Sequence, residues 1–166
     1  MTTPEVLTRL AEPWAHFYSH SKTASTIVTF LHIAPIVVGG GIAIALDRAS
    51  LRVDVNDTPA RERHLRELAS VHPIVLSSLA LLLLSGLAML AADLDTFLGS
   101  WVFWLKMALI VALLANGARM TRLERALAGA AGTAGDQWGR LRGIAITSVI
   151  LWLAITLAGV VLTNVS

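Results

Sequence analysis

The chain contains no cysteine, which excludes disulfides, iron–sulfur clusters and thiolate metal sites. Charge is scarce: 14% of the 166 residues are Asp, Glu, Lys or Arg, against about 25% in soluble domains. A water-soluble fold is therefore not expected. Methionine is limited to four residues, so no methionine-rich copper ligand set exists. Aromatic content is 6% and the polar loops are short, which argues against a large soluble substrate site. Phosphate-binding loops, dinucleotide fingerprints, serine elbows and zinc-protease helices are all missing.

Apolar residues make up 55% of the chain. They gather into four stretches, Thr23–Leu46, His72–Ala92, Trp101–Ala118 and Gly143–Val165. Each reaches or approaches the ~20 residues that a helix needs to cross ~30 Å of hydrocarbon. The expected fold is all-α, an integral membrane four-helix up-down bundle in a lipid bilayer. One transmembrane domain spans 23–165, preceded by an N-terminal segment over 1–22. That segment carries Trp14, Phe17 and Tyr18 among charged residues, so a short interfacial helix is expected there.

Ten of the thirteen Lys and Arg residues fall in two loops. They are Arg48, Arg52, Arg61, Arg63 and Arg66 after the first stretch, and Arg119, Arg122, Arg125, Arg140 and Arg142 after the third. By the positive-inside rule both loops face the cytoplasm, which places the chain in the cytoplasmic (inner) membrane with both termini outside. The connection Asp93–Ser100 has neither Lys nor Arg, as an outward turn should. This placement accounts for the pI near 9.7, and no nucleic-acid partner is expected. His72-Pro73 marks the expected start of the second span, since proline costs least in a first helical turn. Ala126–Gly135 reads as linker or frayed helix. Pro35 and Gly39-Gly40-Gly41 in the first span suit a kink and close helix packing.

An ionisable side chain inside the hydrocarbon costs about 2.5–3.5 kcal/mol on insertion scales, so each is a candidate for function. His32 falls near mid-membrane, where a neutral imidazole ligates iron or another metal, passes protons, or hydrogen-bonds between helices. Lys106 either snorkels to the headgroups or turns inward to an anion, Asp93, Asp95 or a ligand carboxylate. His72 is a possible second haem ligand, although its depth differs from that of His32 by about 10 Å on these span boundaries. His16 and His20 share a helical face at the spacing of a two-histidine metal site, with Asp93 and Asp95 as further outer ligands.

The run Phe30-Leu-His-Ile-Ala-Pro-Ile-Val-Val-Gly-Gly40 resembles the first helix of CopD-type copper-resistance membrane proteins and HemJ-type protoporphyrinogen oxidases. Leu83-Leu-Ser-Gly-Leu87, followed by Trp101-Val-Phe-Trp-Leu-Lys-Met-Ala-Leu109, is similar to their glycine-containing helix, aromatic turn and lysine-bearing helix. The likeness covers roughly residues 24 to 120. It implies a haem b- or porphyrin-linked redox role, or copper handling, with His32 and Lys106 at the matching positions. Three expectations follow: a cytochrome-like haem or porphyrin protein held by His32, Lys106 and His72; a copper or other metal-ion handling protein using His16, His20, Asp93 and Asp95; and an accessory subunit of a membrane complex. A homodimer is compatible with each.

Overall fold

The computed structural model describes residues 3–129 and 134–165, all of them in helices or short connections. The helices are α1 (Thr3–His20), α2 (Lys22–Pro35), α3 (Gly41–Arg52), α4 (Thr58–Ala92), α5 (Leu94–Gly99), α6 (Trp101–Gly129) and α7 (Ala134–Val165), with a π turn over Ile36–Gly40 joining α2 to α3. Four of these units are long and apolar enough to cross a membrane: Lys22–Arg52, Thr58–Ala92, Trp101–Leu127 and Gly135–Asn164. The chain is an integral membrane helical bundle.

Burial follows the logic of a lipid-facing exterior. Leu83, Leu84, Leu153, Leu157 and Val160 are exposed, whereas Ser78, Ser85, Asn116 and Ser148 are buried. Exposed leucine costs nothing against lipid tails, while small polar groups find partners only between helices. The first span leans on α4 with α2 and on α7 with α3, and α6 pairs with α7. The crossover between these two neighbours comes at the π turn. Proline at the end of α2 supplies no N–H, the π turn over Ile36–Gly40 widens the helix there, and the Gly41 N–H bonds back to the Val37 and Val38 carbonyls, where the tighter spacing resumes. Gly39 and Gly40 are buried there, Gly39 against the Ser78 side chain and Gly40 against the Trp152 ring.

One element differs from the sequence expectation. Pro73 does not open the second span; α4 starts at Thr58, where Asp57 caps it by accepting the Ala60 N–H at 3.0 Å. The helix runs through the proline, whose missing N–H leaves the Ala69 carbonyl without its backbone donor, and in the turn before it the His72 Nδ1–H donates to the Leu68 carbonyl at 2.8 Å. With 35 residues α4 is about 52 Å long and overshoots the bilayer at its arginine-rich end. In the stretch Ala126–Gly135, read as linker or frayed helix, α6 continues as helix to Gly129 and α7 begins at Ala134; residues 130–133 lie outside the described set. These overshoots enclose a second core of Leu68, Met120, Leu127, Trp138 and Leu141 beyond the apolar stretches.

At the opposite end, α1 docks on α4 and α2. Its Trp14 Nε1–H donates to the Ala88 carbonyl at 2.8 Å. Ser21 separates α1 from α2 and caps the latter, accepting the Ala24 N–H at 3.2 Å. Trp101 and Trp104 are exposed at the start of α6, 71% and 57%, which places the aromatic belt at this level.

Candidate functional site

All four spans contribute to one point below that belt. Lys106 sits five residues into α6, about 8 Å along the axis, and turns into the bundle. Its Nζ stands 3.5 Å from His32 Nε2 of α2. The other ring nitrogen, Nδ1, is 3.0 Å from Ser85 Oγ on α4. Ser85 spends its own hydroxyl proton on the Leu81 carbonyl at 2.7 Å, so it accepts from His32 Nδ1–H. That leaves Nε2 as a lone pair facing Lys106. The hydrogen bonds therefore run in one direction, from Lys106 to His32 to Ser85 to backbone.

Glycines border both side chains, closely at His32 and at ordinary contact distance at Lys106. A Cβ on Gly86 of α4 would lie 3.2 Å from His32 Cε1, and one on Gly159 of α7 would lie 3.5 Å from Lys106 Nζ. The glycine faces thus serve packing around the His–Lys pair. Below it, Leu113, Trp152 and Ile155 form an apolar layer with Ile44, Val75 and Leu79.

An ammonium carries three N–H donors, and His32 is the partner found for one of them. Among the described residues no carboxylate comes within 4.0 Å of Lys106. Asp93 is exposed and caps α5, accepting the Thr96 N–H at 3.2 Å, and Asp95 is exposed in the same helix. Neither reaches the lysine. Removing the Ser85 hydroxyl tests the chain of bonds: Ser85→Ala should cost about 0.6–1.7 kcal/mol, the range of single interhelical hydrogen bonds in membranes, read from unfolding in mixed detergent–SDS micelles.

The structure does not bring His72 to His32. Ser85, which holds His32, lies 13 residues beyond His72 on α4, about 20 Å along the axis. His72 instead contacts α6, with Nε2 3.1 Å from Thr121 Oγ1 and 3.6 Å from Glu124 Oε2. His16 and His20 do share a face, their rings stacked at 4.1 Å. Both are exposed, and His20 Nδ1 is 2.9 Å from the His16 carbonyl. Among the described residues no group of three or more His, Cys, Asp or Glu is placed to hold a metal ion.

A second polar group lies at the arginine-rich end, and its acids, Asp47 and Glu124, are the members that the sequence reading does not single out. Asp47 of α3 is 4% exposed, and its Oδ2 is buried without a hydrogen-bond partner among the described residues; Glu124 of α6 is 8% exposed and faces His72. Asn116 Nδ2–H donates to the Ile144 carbonyl at 3.0 Å, and the Ser50 hydroxyl meets His64 Nε2 at 2.7 Å. The signal that finds these residues is helical spacing. Glu124 continues the buried stripe Leu113, Asn116, Met120, and Asp47 continues that of Gly40.

Comparison with family models, with curated proteins and with solved structures yields no match.

Proposed function

We propose that this integral membrane protein binds, within the outer half of the bilayer, an amphipathic ligand that presents a carboxylate, with Lys106 as donor and His32 orienting it. The observation that carries this reading is the inward Lys106 ammonium. It is turned away from the headgroups it could reach by snorkelling, and one neutral imidazole nitrogen is its described partner. Holding that charge among apolar helices costs about 2.5–3.5 kcal/mol, and a ligand carboxylate offsets the cost by filling the remaining donors. Lysine and His32 both match the resemblance to porphyrin-linked families, so porphyrins are the ligand class we assign.

The donor set fits a porphyrin carboxylate and does not fit two imidazoles on one iron, because His72 lies about 20 Å from the His32 level. A bound haem would supply one-electron chemistry. The chain's own contribution is to orient the carboxylate, through a lysine whose direction is fixed by His32 and Ser85, and to keep water out with the apolar layer beneath. In this reading the arginine-rich end faces the cytoplasm and the Trp101 end faces outward, across the cytoplasmic membrane.

Titration of the purified protein with metal-free protoporphyrin and with haem tests the proposal. Lys106→Met should weaken binding about tenfold, the size of one charge-assisted hydrogen bond. Esterifying the porphyrin carboxylates should produce the same loss with the unaltered protein. Equal binding of acid and ester, or an unchanged affinity in Lys106→Met, overturns the assignment.

A further inference from the structure

At the arginine-rich end a groove of about 700 Å³ opens between α6 and α7. Arg119 and Arg122 line it from one turn of α6 and Arg140 from α7, with Asn116 at its deep end and Leu123 and Ile144 among its apolar walls. All three arginines are exposed. Among the described residues none of them has a carboxylate within 4.0 Å, whereas Arg66 does, at 3.9 Å from Glu62. A set of guanidiniums brought together without acids repels itself unless an anion joins it.

Position decides which anion. Arg119 and Arg122 follow the apolar stretch of α6 directly, and Arg140 precedes that of α7 by three residues. The groove therefore lies where lipid phosphates lie, with charge toward the aqueous loops and Ile144 toward the hydrocarbon. Its volume falls within the ~300–1,000 Å³ of ligand-sized sites, far more than one inorganic phosphate fills. We infer that this groove is a binding site for the headgroup of an acidic phospholipid, its phosphate held by Arg119, Arg122 and Arg140 and its glycerol and first methylenes by Ile144. The same arginines act as topology signals. A bound acidic lipid gives them a partner in the finished fold and ties α6 to α7 at the membrane surface.

Native mass spectrometry of the purified full-length chain with added phosphatidylglycerol or phosphatidylcholine tests this inference. The unaltered protein should retain phosphatidylglycerol preferentially. The Arg119→Gln/Arg122→Gln/Arg140→Gln triple variant should bind it at least tenfold more weakly, from about fivefold per basic residue. An equal charge loss elsewhere, Arg63→Gln/Arg66→Gln/Arg125→Gln, should leave retention unchanged. Should the triple variant not fold, Arg140→Gln alone should lower retention about fivefold. Equal retention of both lipids, no loss in the groove variants, or an equal loss in the control triple overturns the site. Displacement of the lipid by millimolar inorganic phosphate overturns the lipid assignment in favour of a free-anion site.

Discussion

Trp138→Ala is expected to destabilise the protein by about 3–5 kcal/mol, the range for truncating a buried large aromatic. Trp138 is fully buried at 0% exposure, five residues before the apolar stretch of α7 begins. It packs with Leu68 of α4 and with Met120 and Leu127 of α6. His64 meets its ring at 6.3 Å in an edge geometry, and the Arg61 guanidinium stands 5.8 Å above it. Because this core lies beyond the apolar stretches, water rather than lipid competes for these surfaces, and apolar burial contributes its full hydrophobic share. The same truncation at a lipid-facing position, Trp104→Ala, should change stability little, since Trp104 is 57% exposed and keeps α6 company with lipid. Unfolding of both variants in mixed detergent–SDS micelles checks the contrast. Comparable losses at the two positions would show that the overshooting helix ends do not form a separate core.

Much of this architecture was legible because a bilayer makes hydropathy decisive. Four apolar stretches gave four spans, and the rarity of charge within them pointed directly at His32 and Lys106, which the fold brings to within 3.5 Å. Three features were hidden. The helix-like stretch Ala60–Val71 was not joined to the second span because His72-Pro73 carries a helix breaker, yet α4 runs through it unbroken, and α6 extends into the glycine-containing Ala126–Gly135. Tertiary contact outweighed local propensity there. Asp47 and Glu124 sit among arginines at the span ends, where charge reads as solvated loop; their burial depends on which face of the overshooting helix they occupy. Lys106 was open to snorkelling or to an inward anion, and the fold turns it inward to an imidazole, while α5 carries Asp93 and Asp95 out to the surface.

Gly39→Val should cost about 3 kcal/mol, at the upper end of the penalty for forcing extra atoms into a packed interior. The π turn presses Gly39 onto α4 so closely that an added Cβ would overlap Ser78 Cβ and lie 2.7 Å from its Oγ. Ser78 is itself 9% exposed and has no space into which to retreat, so the helices must part. Gly41, one residue past the π turn, has nothing within 4 Å of its would-be Cβ, and Gly41→Ala should be tolerated. The consequence extends to the site. His32 lies seven residues before Gly39 on the same span, and its bond to Ser85 crosses the same α2–α4 seam, so a seam held open at Gly39 also lengthens the His32–Ser85 contact. Pairing Gly39→Val with Ser78→Gly removes the colliding side chain and should recover most of the lost stability. A double variant as unstable as the single one would mean that the penalty arises in the turn's backbone and not in the contact between the spans.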